Sequence, residues 1–182
     1  MNYAGAGLIL LSSDLTSTLL VHDTRSAKWG FPKGHREPED ANDLQTAVRE
    51  MWEETGLTAT DYKVCEESFK ISKGGGSYIF RYAIANEQAR SKSKPGPAHE
   101  ISALEWVPLQ TLFEAQTVLD GNKYLRTWIS DMKLGVSKKS VHLLRSLLAS
   151  SAASTASNGS GGSARFAPTN ETVSTNNVVT CA

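Results

Sequence analysis

The chain has 182 residues with 19 basic and 19 acidic side chains, so its length suits one compact domain plus a tail, and its net charge points to neither a nucleic-acid nor a membrane partner. Its two cysteines, Cys65 and Cys181, lie far apart and form no CxxC or Cys/His cluster. That argues against a disulfide framework or zinc site and fits a reduced, intracellular setting, cytoplasmic with the nucleus left open. No apolar run reaches the ~20 residues of a membrane span, and the first residues lack the basic-then-apolar order of a signal peptide.

In chain order, Ala6–Leu11 and Ser17–Val21 read as buried strands joined by a polar turn. A glycine-containing loop, Trp29-Gly30-Phe31-Pro32-Lys33-Gly34, follows. A strong helix is predicted from about Ala41 to Thr55. Tyr62–Ile71 and Ser77–Ala85 read as a hairpin whose connection is Lys73-Gly74-Gly75-Gly76. Residues 87–99 form a polar, Lys/Ser-rich loop around Pro95-Gly96, and Ala103–Val107 is a further short strand. Leu109–Ala115, Asn122–Met132 and Ser137–Ala149 read as helical, the last through Val141, Leu143, Leu144, Leu147 and Leu148. These elements make residues 1–149 one mixed α/β domain. Residues 150–182 are Ser, Ala, Thr, Asn and Gly with few large apolar side chains, and such a tail is expected to be disordered because it buries too little to offset ordering.

The helix carries the chemistry. Glu50, Glu53 and Glu54 are three and four residues apart, so they share one face. Leu44, Ala47, Val48 and Met51 form an apolar stripe that can pack on a sheet. Asn42 with Gln45 suits a capping box, and Gly56 sits where a helix stops. Three crowded carboxylates repel one another and need compensation. Mg²⁺ or Mn²⁺, which prefer oxygen ligands, are natural partners. Arg49, four residues before Glu53, can pair with it. Alone, such a cluster is usually a solvated acidic face; the preceding glycine loop shifts the balance.

The segment Gly34–Leu57 resembles the Nudix box, G-x5-E-x7-R-E-U-x-E-E-x-G-U with U aliphatic, and Arg49–Leu57 matches every fixed position. The first half departs from it. Counted from Gly34 the box glutamate falls on Asp40; counted back from Arg49 it falls on Ala41. A one-residue insertion explains this, and Glu39 or Asp40 is expected to take the supporting role. The resemblance implies a Nudix-type α/β/α sandwich with a mixed sheet, and metal held by Glu50, Glu53 and Glu54 with the Gly34 carbonyl as a further ligand. It also implies an orienting role for Arg49. For the general base it leaves Glu53 or Glu54 beside a downstream carboxylate, for which Glu100 is favoured over Glu105.

The implied activity is a pyrophosphohydrolase cleaving a phosphoanhydride in a nucleoside diphosphate linked to a group X. Phe31–His35 with Glu37-Pro38 is similar to dinucleoside polyphosphate hydrolases, with Lys33 and His35 as phosphate contacts. Trp29–Gly34 and Glu100–Trp106 are also similar to mRNA-decapping enzymes, which makes an RNA cap the alternative substrate. Lys133, Lys138, Lys139 and Arg145 would then offer a modest basic patch. A third reading, from a different class, is a binding module that kept the fold and lost activity. Diphosphoinositol polyphosphates and nucleotide sugars stay open as substrates, and the sequence does not give the oligomeric state.

Overall fold

A computed structural model describes residues 3–73, 76–97, 99–114 and 120–133. The expected helix at 137–149, the tail, Lys138, Lys139, Arg145 and the Gly74-Gly75 connection lie outside the described residues. The elements are β1 Gly5–Leu11, β2 Ser17–Asp23, β3 Lys28–Gly30, β4 Lys33–His35, α1 Asp43–Thr55, β5 Tyr62–Lys73, β6 Gly76–Ala85, α2 Ala89–Lys92, β7 Ile101–Pro108, α3 Leu109–Glu114 and α4 Lys123–Lys133.

β1 organises the layers. All seven of its residues are buried, and successive side chains on a strand point to opposite faces. Ala6, Leu8 and Leu10 join Ala47 and Met51 of α1 in one core. Ile9 and Leu11 face the other way, among Phe31, Phe80, Tyr82, Leu112, Leu125 and Trp128. A strand apolar on both faces needs cover on both, and the result is the expected α/β/α sandwich. The sheet is mixed, because β1 runs parallel to β6 over seven residue pairs and antiparallel to β4.

The first two strands do not form the simple hairpin that a short polar turn suggests. β1 and β2 are registered only at Leu11 and Thr18. The glycine loop has taken the other end of that edge: the Leu8 amide donates to the Pro32 carbonyl at 3.1 Å, and Gly5, Ala6 and Gly7 pair with His35, Gly34 and Lys33. β2 instead pairs along its length with β7. The hairpin of β5 and β6 forms as expected, with a register shift between Val64 and Ser68. α4 starts at the expected place, with the Asn122 side chain accepting from the Tyr124 and Leu125 amides at 3.0 Å.

Trp128 anchors α4. It is 1% exposed, packs edge-on to Phe31 and donates its indole N–H to the Tyr82 hydroxyl at 2.9 Å. Replacing it with alanine removes a large side chain from a filled core. Trp128→Ala is therefore expected to lose ~3–5 kcal/mol in chemical denaturation. Trp128→Phe, which keeps much of the volume and drops the hydrogen bond, should lose less than half as much; equal losses would show that the hydrogen bond, not packing, anchors the helix.

Candidate active site

The acidic helix begins with a split capping box. Asn42 accepts from the Gln45 amide at 3.0 Å, but the Gln45 side chain accepts from the Ala41 amide at 2.8 Å, one residue earlier than the usual partner. At the other end Gly56 is left-handed at φ 70°, and its N–H reaches the Trp52 carbonyl. Between these ends Thr46, Ala47 and Met51 turn inward.

Arg49 gathers the carboxylates. Its Nη1 lies 2.8 Å from Glu50, 2.9 Å from Glu53 and 3.5 Å from Glu37, and its Nη2 lies 3.0 Å from Asp40 and 2.9 Å from the His35 carbonyl. Asp40 answers the question raised by the inserted residue. It is 6% exposed and also accepts from the Thr46 hydroxyl at 2.8 Å and the Glu37 amide at 2.9 Å. Burial works against its charge, but bonds from Arg49, Glu37 and Thr46 outweigh burial and hold its carboxyl below the ordinary value. Glu39 is exposed. Of the two residues expected to stand in, Asp40 is the one bonded to Arg49.

Glu50 and Glu54 are shifted the other way. Burial pushes Glu54 up to about 8; the Lys33 charge and amide lower it, while Glu50 and Asp23 raise it further. Burial also raises Glu50, against the pull of Arg49. Glu54 accepts from the Lys33 amide at 3.2 Å. Carboxylates whose ionised form is disfavoured by burial are a fitting donor set for a hard divalent cation. One oxygen of each is engaged, that of Glu50 by Arg49 and that of Glu54 by the Lys33 amide, and among the described residues no three His, Cys, Asp or Glu side chains are gathered at ligand spacing.

β4 presents the remaining expected residues. A Cβ on Gly34 would run into the Glu50 carboxylate, so a side chain there would push that carboxylate aside. The Gly34 carbonyl faces Gly5 of β1 rather than the acidic helix. Lys33 and His35 point to the other face of the strand. There the Lys33 ammonium stands 6.0 Å from the Tyr124 ring, and His35 packs edge-on to Tyr78 at 5.8 Å. Tyr78 and Tyr124 lie 4.8 Å apart, and Lys123 covers Tyr124 at 4.7 Å. Burial, then Tyr124 and last the Glu50 charge push the Tyr78 hydroxyl up to about 12. Sequence reasoning left Tyr78 unassigned and missed Tyr124 and Lys123. The available signal was Tyr78-x-Phe80-x-Tyr82, an aromatic stripe at the period of a strand.

Glu100 is not brought to the acidic helix by any direct contact. It precedes β7, its carboxylate pairs with Arg25 at 2.9 Å, and its carbonyl accepts from Thr24. Glu105 lies on β7, opposite Leu20.

Comparison with known proteins agrees with this architecture. mRNA-decapping enzyme subunit 2 of Saccharomyces cerevisiae is 31% identical over 100 residues, covering 55% of this chain and 10% of that protein. The Arabidopsis thaliana mRNA-decapping enzyme subunit 2 is 28% identical over 134 residues, covering 70% of this chain and 32% of that protein. The matches thus span only a tenth to a third of these relatives. Among solved structures, a C. elegans Ap4A hydrolase has a TM-score of 0.55 at 20% identity, covering 72% of this chain and 97% of that one. The M. smegmatis Nudix hydrolase RenU has a TM-score of 0.57 at 21% identity, covering 74% and 86%. At such identities the likeness is one of fold. Residues 1–129 match the NUDIX domain, and the chain belongs to the Nudix hydrolase family.

Proposed function

We propose that this chain is a metal-dependent pyrophosphohydrolase acting on two nucleosides joined through their 5′ positions by a polyphosphate. The observation that carries this reading is the helix face of Glu50, Glu53 and the buried Glu54 beside a strand that presents Lys33 and His35 to an aromatic wall. Glu50, Glu53 and Glu54 would hold Mg²⁺ or Mn²⁺; the Gly34 carbonyl, turned toward Gly5 of β1, is left out of that set. When bound, the cation would draw charge from the bridging phosphate oxygens and acidify a water. Arg49 holds Glu50 and Glu53 in place before binding, and Asp40 holds Arg49. Lys33 and His35 donate to phosphate oxygens. Tyr78 and Tyr124 offer faces on which a base can stack.

Dinucleoside polyphosphates are the free form of this substrate class. The 5′ cap of RNA is the same linkage on a longer body, and it is favoured by a separate observation: curated decapping proteins are 31% identical over 100 residues. Turnover of diadenosine tetraphosphate, capped RNA, ADP-ribose and diphosphoinositol polyphosphates with Mg²⁺ or Mn²⁺ separates the readings. Cleavage of diadenosine tetraphosphate without loss of the cap selects the first, and the reverse selects the second. Metal binding without turnover of any of them would return the binding-module reading.

Three substitutions test the roles. Gly34→Ala forces Glu50 aside and is expected to lower kcat about 10²-fold or more with a smaller effect on KM, since metal-ligand placement is lost rather than substrate contact. Asp40→Asn leaves Arg49 short of its most buried partner and should cost about 2 kcal/mol at neutral pH. Because Asp40's native pKa is lowered, its contribution is present above about pH 4 and lost as pH falls through the native value. The difference between wild type and Asp40→Asn should therefore shrink on acidification, and a constant difference would remove the ionic role. For the proton acceptor, Glu100→Gln is expected to cost at least about 10²-fold in rate if Glu100 leaves Arg25 to act. A near-normal rate assigns that role to Glu53 or Glu54.

A further inference from the structure

The last turn of α1 carries Glu53 and Glu54, and its end is closed by a segment forty residues downstream. A helix terminus leaves its final carbonyls without partners inside the helix. Gly56 takes the Trp52 carbonyl. The Thr55 carbonyl is taken by the Lys94 amide and the Glu54 carbonyl by the Gly96 amide, each at 3.1 Å. Between those two bonds the Gly96 Cα rests directly on the helix: a Cβ there would overlap the Glu53 carbonyl and lie 2.9 Å from the Trp52 carbonyl. Residues 93–96 thus form a strap of backbone across the turn.

The strap is fastened independently of the acidic side chains. The Ser93 hydroxyl accepts from the Trp106 indole at 3.1 Å, and the Ser93 amide donates to Ala89, which is fully buried. Just before it, the Lys92 ammonium lies 2.6 Å from Asp61, a carboxylate that is 3% exposed and also caps Thr58. These anchors belong to β7, α2 and the segment after α1. The strap therefore ties the turn that carries Glu53 and Glu54 to β7, α2 and the segment leading into β5.

We propose that the 93–96 strap is a positioning element for the cation site, with Gly96 its critical residue: it fixes the axial position of the Glu53–Glu54 turn so that both carboxylates reach one ion. This rests on the metal reading proposed above. The two hydrogen bonds of the strap and the close approach of Gly96 all run to backbone of that turn, so its effect is to present ligands rather than to supply one. Gly96 has no left-handed backbone angle, so alanine there introduces a steric displacement without conformational strain.

Mn²⁺ binding by the full chain, followed through the loss of the free-ion electron paramagnetic resonance signal, provides a readout separate from turnover. Gly96→Ala is expected to weaken Mn²⁺ binding about tenfold, the usual scale for residues that orient ligands, with its far-ultraviolet circular dichroism unchanged. Trp106→Phe removes the hydrogen bond to Ser93 while keeping an aromatic ring, and should weaken binding severalfold in the same direction. It also serves if Gly96→Ala fails to fold. Glu53→Gln is the reference for a lost ligand. Wild-type binding abolished by Glu53→Gln but unchanged in folded Gly96→Ala, or in Trp106→Phe where alanine does not fold, would overturn the strap while leaving the metal reading intact. No Mn²⁺ binding by the wild type would overturn both.

Discussion

Four carboxylates converge on one guanidinium, and the rest of the site is arranged around that fact. Arg49 meets Glu37, Asp40, Glu50 and Glu53 within 3.5 Å. Burial works against its charge, yet the hydrogen bond it donates to Asp40 and the charges of Glu50 and Asp40 raise its pKa above the ordinary arginine value. A planar fork of five donors suits this work better than an ammonium would, because each partner needs a direction as well as a charge. The arrangement satisfies the outer carboxylates more fully than the inner ones. Asp40 gains enough to lie below its ordinary pKa, while Glu50 and Glu54 lie above theirs. The helix is thus left with an unmet demand for positive charge on the side facing β4.

That demand is placed by the sheet. β1 is buried on both faces, which fixes α1 on one side and α4 on the other. The pairing of β1 with β4 then carries Gly34 up against Glu50. The hydrophobic core and the acidic cluster are consequently coupled through one short strand. A change in β1 register would move every β4 side chain to the opposite face, since the side-chain period of a strand is two.

The helix was legible in the sequence because its signals are local. The apolar stripe, Asn42 at the start, Gly56 at the end and the three glutamates all lie within fifteen residues, and the structure places the helix and both of its caps where that spacing predicts. The strands were legible in extent but less so in partnership. Ser17–Val21 was readable as a strand, yet its main partner is β7, some eighty residues on. The glycine loop hid two strands of three residues each, too short to show alternation. The loop at 87–99 showed only its polar composition. That two of its amides close the end of α1 follows from tertiary contacts, which leave no pattern in the local sequence. Asp40 was narrowed to one of two residues by counting, and the choice between them was made by burial, which counting does not supply.

The alternation along Lys33-Gly34-His35 explains why the family was easier to read than the substrate. Gly34 turns toward α1 and the carboxylates, whereas its neighbours turn toward Tyr78 and Tyr124 on the far face. The acidic face is built from one contiguous helix whose spacing is rigid, so its pattern survives as a motif. The opposite face is assembled from β4, β6 and α4, three elements separated by about forty residues each. Its geometry depends on how those elements meet, and a change of one aromatic or one lysine there would alter recognition without disturbing the box. The part of the site expected to hold the cation is therefore written in consecutive residues, and the part expected to choose what is cleaved is written in the packing.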